Sequence, residues 1–448
     1  MDFYAFKEIV AQGCRELGIT EYELYYESEA STSVEVFQHE VKSFSSSEGG
    51  GLCLRCIVNG HMGYASTQAL NEQEARMLPR RAADNASVLE TDEPIFLGRG
   101  GQIYQEQDRK RYPLPTTEEL IATTLDTQEK LYAADPAVVD GSETEGLFQH
   151  SELYLWNSLG LDLHCSNDLS GLVTAAVVSN GEEMANDYQI KLGKLDEIDR
   201  TELVTKAARG ALRKLGGDVA PTGQYPVVFD SEAMSDLLAT FSGIFSSEAA
   251  QKGLSRLAKA EGTQIASPVV TLVDDPFHGE NPMPRSFDAE GTPTCRKNVI
   301  ENGVLKTLLY NLKTAAKAGT SSTGNASKGD YDSPVGIRPF SLYLKGGEIS
   351  EEELLKQVGT GVYINSLGGL HAGANPITGD FSLQSAGFLI ENGVKTTAVK
   401  SFTVAGNFYR LLKDIYAVAD NSRLPSAMGP TAFGAPTTAV RGLTVAGK

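Results

Sequence analysis

The densest run of side chains able to hold a metal is Asp274, Asp275, His278 and Glu280, which sets carboxylate oxygens and an imidazole within seven residues. Such a donor set suits a divalent ion. Pro276, Gly279, Asn281 and Pro282 interleave it, a composition that favours a solvated loop, so a metal here is the weaker alternative to no metal in this chain. His39-Glu40 opens like a zincin motif, but Ser43 and Phe44 stand where a second histidine would share the helix face. Cys53 and Cys56 are the only close cysteine pair. They lie in a segment that reads as a strand, where residues three apart face opposite sides, so they read as two buried thiols. Gly442 to Lys448 matches G-x-x-x-x-G-K without the following Ser or Thr and helix that a phosphate cradle needs. Neither a G-x-S-x-G elbow nor an S-x-x-K pair occurs, which leaves serine hydrolysis without local support.

The elements that must position these residues follow from periodicity. Phe6, Ile9, Val10, Cys14 and Leu17 form one apolar stripe, which predicts a helix from Phe3 to about Leu17, stopped by Gly18. Alternation predicts short strands over Ser33–Phe37 and Val41–Phe44, and Asn59-Gly60 predicts a hairpin within Gly51–Ser66. Helices are expected over Asn71–Leu89 and Thr116–Ala134, the second opened by the capping box Thr116-x-x-Glu119. Strands over Glu145–Asn157 and Leu161–Ser179 and a helix over Thr201–Leu215 complete the first half. The second half is richer in strand and turn signals. It repeats Ile-Glu-Asn-Gly-Val at 300–304 and 390–394, each predicting a hairpin tip, from either a duplication or two independent hairpins. The expected fold class is α+β, with an N-terminal α/β domain built on an antiparallel meander (1–217) and a β-rich, barrel-like C-terminal domain (218–448).

At 448 residues two cores are the natural prior, and 41% hydrophobic with 22% charged residues describes a soluble globular chain. The formal net charge of −19 opposes a phosphate backbone, which excludes nucleic acid as a ready partner. No apolar run approaches the roughly 20 residues of a membrane span, and the first residues lack the basic and apolar regions of a signal peptide. Five cysteines do not make a disulfide framework, and the expected compartment is the cytosol.

Several segments together resemble the TldD/PmbA family, also called modulators of DNA gyrase. They are Gly51 to Gly60 running into Gly63 to Thr67, Gly368 to Ser382, Phe388 to Val394, and Val440 to Gly447. The resemblance implies dimers enclosing a cavity in which unfolded peptides are cut. In the TldD branch a helix carries H-E-x-x-x-H, and its zinc polarises the attacking water. The corresponding stretch here, Leu237 to Gly253, has no histidine and one acidic residue, Glu248. This places the chain nearer the PmbA (TldE) branch: no cofactor of its own, no catalytic residue, and a zinc-carrying TldD-like subunit as partner. An isolated chain is then expected to form a homodimer. Peptide binding is expected at Gly368, Gly369, His371, Gly373 and Asn375, because glycines let a second backbone come close. Two other readings remain at this stage: a self-sufficient metallopeptidase using Asp274, Asp275, His278 and Glu280, and a regulatory protein that binds a partner such as gyrase.

Overall fold

The computed structural model describes residues 1–88, 93–105, 114–428 and 430–447. Leu89, at the end of one expected helix, and Lys448, at the end of the G-x-x-x-x-G-K pattern, lie outside the described residues. The first half runs α1 (Phe3–Glu16), β1 (Glu21–Phe37), β2 (Glu40–Val58), β3 (His61–Thr67), α2 (Glu72–Ser87), α3 (Thr117–Ala134), β4 (Glu143–Asn157), β5 (Asp162–Ser179), β6 (Met184–Leu192) and α4 (Arg200–Leu212). Its six strands form one antiparallel sheet in the order β3-β2-β1-β4-β5-β6.

Side-chain alternation gives that sheet two different faces. On one, Phe6, Val10 and Cys14 of α1 and Leu78 of α2 pack on Leu24, Leu54 and Cys56. Further along the same face Leu120 and Leu203, from α3 and α4, cover Val34, Val36 and Leu172. The opposite face presents Tyr25, Leu153, Leu155 and Cys165 to Phe287, Ala289 and Tyr331 of the second half. Cys53 and Cys56 thus point to opposite faces, both buried; burial pushes the Cys56 thiol up to about 11 and Cys14 to about 12, so neither is a thiolate at neutral pH.

The two short strands expected around residues 33–44 are the ends of a 17-residue and a 19-residue strand. Their paired middles are serine-rich, Ser31 meeting Ser47 at 2.9 Å and Thr32 meeting Ser46 at 3.4 Å. Hydroxyl pairs hold this register without the apolar alternation that sequence reading depends on. Gln38 (φ 50°) and His39 (φ 65°) form the tip between them, so His39 is a turn residue, its ring centre 4.5 Å from that of Tyr132 and tilted by 34°.

The second half contains β7 (Asp218–Val219), β8 (Gly223–Phe229), α5 (Ser231–Phe241), α6 (Ser247–Gln251), β9 (Leu272–Asp274), β10 (Lys297–Glu301), β11 (Val304–Leu305) and α7 (Leu312–Ala318). It continues through β12 (Ala326–Ser327), β13 (Gly336–Ile337), β14 (Ser341–Leu344), α8 (Glu351–Val358), β15 (Gly361–Gly368), α9 (Leu370–Gly373), β16 (Asp380–Glu391) and β17 (Val394–Asn407). The last elements are α10 (Phe408–Asp414), β18 (Ile415–Val418), β19 (Arg423–Met428), β20 (Thr431–Ala435) and β21 (Thr438–Ala446). Strand β21 pairs with both β8 and β17, which closes β8, β15, β16, β17 and β21 into a barrel. Val227, Phe229, Val362, Ile364, Leu383, Val404 and Val440 of those strands share one core with Leu237 and Phe241 of α5. The fold is the expected α+β, an antiparallel meander with helices followed by a β-rich half that carries the barrel. Both Asn-Gly tips occur, at Asn302-Gly303 (φ 49° and 83°) and Asn392-Gly393 (φ 53° and 77°).

The stretch 237–253 is not one helix. Helix α5 ends at Phe241, Ser242–Phe245 make a single 3-10 turn, and Ser246 restarts the chain by accepting from Ala249 N as the cap of α6. Gly243 weakens the helix at the break, although Phe241, Ile244 and Phe245, all buried, keep the i, i+3, i+4 spacing of one helical stripe.

Candidate functional site

The glycine-rich stretch leaves the barrel where two pairings end. Strand β15 pairs with β16 as far as Gly368, with Asn365 skipped as a bulge, but its parallel pairing with β8 stops at Ile364. One edge of residues 366–368 therefore carries no strand. Gly369 turns the chain at φ 74° and α9 follows as a single turn. Asn375 Oδ1 accepts from Ile377 N (3.0 Å) and Thr378 N (3.1 Å), which fixes the next turn around Pro376. His371 is exposed.

The three glycines differ in what a Cβ would meet. At Gly368 it would reach only Gln384, at 3.6 Å, and at Gly369 it would meet nothing within 4 Å. At Gly373 it would come within 2.4 Å of the Ser382 carbonyl oxygen. Gly373 thus serves the packing of α9 on β16, while a Cβ at Gly368 would make ordinary contact and Gly369 borders open space.

Carboxylates collect at the start of α5. Asp230 caps the helix by accepting from Ala233 N at 2.8 Å, and burial raises its pKa to about 6. Burial, with Asp230, Asp187 and Asp236 adding repulsion, lifts Glu232 to about 7, well above the ordinary carboxylate range. The sequence pattern showed only Glu248 because the relevant helix begins six residues before Leu237 and draws Asp187 from β6.

The run Asp274, Asp275, His278 and Glu280 is directed to separate partners. Asp274, fully buried, accepts from Phe340 N (2.8 Å), Ser341 N (3.1 Å), Asn325 Nδ2 (2.8 Å) and Lys297 Nζ (3.2 Å). Asp275 accepts from Phe277 N, His278 Nδ1 accepts from Glu280 N, and Glu280 accepts from Leu424 N at 2.7 Å. Among the described residues no three His, Cys, Asp or Glu side chains converge on a common point for a metal.

Sequence reading missed a cluster formed across β4 and β5. His150 Nδ1 lies 2.6 Å from Asp168 and its Nε2 3.0 Å from Glu152, which also meets His164 Nε2. The Asp168 bond holds the His150 pKa above its ordinary value. Its members are neighbours only through the register that sets His150 opposite Asp168 and Tyr154 opposite His164, which no local pattern reveals.

Known proteins resemble this geometry along its whole length. The PmbA/TldA metallopeptidase C-terminal domain matches residues 222–447, domain 1 of the same group matches 22–86 and its central domain 111–215. The structure of a proposed modulator of a DNA gyrase from Thermotoga maritima is 30% identical, with a TM-score of 0.90, over 99% of this chain and 100% of that one. TldE from Thermococcus kodakarensis, 24% identical with a TM-score of 0.85 over 99% and 100%, shares the fold. A metalloprotease PmbA homolog of Haemophilus influenzae is 26% identical over 401 residues, 87% of this chain and 85% of its own. A profile covering residues 222–447, half of the chain and all of the barrel strands, preceded in order by both N-terminal profiles, makes the chain a member of the PmbA/TldD metallopeptidase family.

Proposed function

We propose that the chain is the subunit without zinc in a peptide-cleaving assembly, holding unfolded peptides for a zinc-carrying TldD-like partner. The observation that carries this reading is the edge of Ser366–Gly368 that pairs with no strand, next to Gly368 and Gly369, where a Cβ would meet little or nothing. A peptide added there gains main-chain hydrogen bonds while His371 and Asn375 flank it. The stretch from Ser231 to Gly253 offers carboxylates but no imidazole, and a catalytic zinc normally takes three protein ligands.

Self-association is supported by β6, the open edge of the first sheet, whose Met184, Tyr188 and Ile190 are all exposed on one face. A second subunit, this chain or the TldD-like one, covers that stripe. A cytosolic setting is supported by five free cysteines, four of them buried thiols, and the functional division at 217/218 by the sheets falling on either side of it. Among the described residues no helix is long and apolar enough to cross a membrane.

The test is Gly368→Val in this subunit of the mixed complex. Peptide cleavage falls while assembly and the partner's zinc content persist. Unchanged turnover would show that the stretch is only a connection, and loss of assembly would show that Gly368 serves the fold.

A further inference from the structure

Where the two halves meet, three cations surround Tyr25 of β1. Arg285 is 9% exposed and its Nε has no hydrogen-bond partner. Its closest carboxylate contact is long, 3.9 Å from Nη2 to Glu27. Lys328, 7% exposed, donates to the Tyr331 carbonyl and lies 4.5 Å from the centre of the Tyr25 ring. Arg338 is half-buried, and among the described residues its guanidinium has neither a hydrogen bond nor an ion pair. Burial and the neighbouring Arg285 charge depress its pKa to about 10. Glu23 is engaged elsewhere, pairing with Arg55 Nε at 3.0 Å, and Glu27 also accepts from the Tyr25 hydroxyl at 3.3 Å.

Three positive charges thus face one carboxylate in a chain of net charge −19. Burying a guanidinium nitrogen without an acceptor costs stability, more for a charged group than for a neutral one. A site of this kind is completed by an oxyanion, for which a planar guanidinium is the preferred donor. The overall negative charge and the adjacent Glu27 disfavour a polyanion or a multiply charged phosphate and leave room for a small group of single charge.

We propose that Arg285 and Arg338, with Lys328 beside them, bind the C-terminal carboxylate of a peptide, making chain ends a preferred feature of the substrate. The site rests on the peptide-holding role above and lies on the first half's sheet, apart from the glycine stretch of the barrel. It selects which peptides are held and takes no part in bond cleavage. Arg338 is the residue to alter, being the more exposed guanidinium, and Arg285→Met is a second variant.

The experiment titrates the full chain by calorimetry with N-acetyl-tetraalanine as the free acid, the same peptide as its C-terminal amide, and inorganic phosphate. The acid binds at least about tenfold more tightly than the amide, a difference of about 1.4 kcal/mol. Arg338→Gln and Arg285→Met remove the preference, and Arg338→Lys restores part of it, at unchanged melting temperature for the Arg338 variants. Equal affinity for acid and amide, binding of neither, a preference that survives Arg338→Gln, or phosphate binding without acid-peptide binding overturns the proposal. Cleavage of acid and amide peptides by the mixed complex separates the two claims. Equal cleavage that ignores Arg338→Gln refutes the carboxylate site and leaves the peptidase reading standing, whereas cleavage of neither removes both.

Discussion

Gly368, Gly369 and Gly373 sit within six residues and ask for glycine for different reasons, so their alanine variants separate in stability. Gly368→Ala stays within about 0.5 kcal/mol of the parent. Gly369→Ala loses about 1 kcal/mol to its left-handed backbone at φ 74°. Gly373→Ala loses more than about 2 kcal/mol, because the Ser382 carbonyl must move. Urea denaturation checks the order, and equal losses at all three would contradict it. Glu232 gives a pH-dependent counterpart. Its folded pKa, about 7, lies above the ordinary 4.5, so folding takes up a proton and stability falls as pH rises from about 4.5 to 7. Glu232→Gln should therefore be more stable than the parent at pH 8, by about 1–2 kcal/mol after discounting for solvent, and no more stable at pH 4. A constant difference across that range would show that Glu232 is not held protonated. At this scale the glycines and Asn375 were legible because turn chemistry is local. Arg285, Arg338 and the His150 cluster were not, since each depends on a long-range pairing.

The elements that could be read early are those whose signals are short-range. Helix α3 has the capping box at Thr116 and Glu119 that its sequence announced, with both bonds present, and the Asn-Gly tips at 59–60, 302–303 and 392–393 adopt positive φ at both residues. Strands β1 and β2 escaped because serine ladders replace apolar alternation, and the break after Phe241 escaped because Gly243 is an isolated residue in an otherwise helical pattern. The β4–β5 contact has its own pH signature. Asp168 raises the His150 pKa, so its contribution is complete below the unfolded value near 6.5 and is lost as pH rises through the higher folded value. Asp168→Asn should lower the His150 pKa toward 6.5 in an NMR titration and reduce stability at pH 6 more than at pH 9. An unchanged His150 titration would assign the shift to Glu152 instead.

At the scale of the molecule, a helix-backed meander and a closed barrel are joined by a buried interface, through Tyr25, Leu153 and Leu155 on one side and Phe287, Ala289 and Tyr331 on the other. The barrel was legible as strand-rich sequence, but its closure was not, because it depends on the last strand pairing with both β8 and β17. The exposed stripe on β6 belongs to this scale as well. Tyr188→Lys combined with Ile190→Lys should shift the isolated chain toward monomer in light scattering, and an unchanged mass would place the subunit contact elsewhere. The central claim is that zinc and bond cleavage belong to the partner and peptide holding to this chain. Its most direct test is metal analysis and peptide cleavage on the purified chain alone and mixed with a TldD-like subunit. The account predicts far below one zinc and no cleavage for the chain alone, and about one zinc per partner subunit with cleavage in the mixture. About one tightly held zinc per chain, with cleavage by the chain alone, would contradict it.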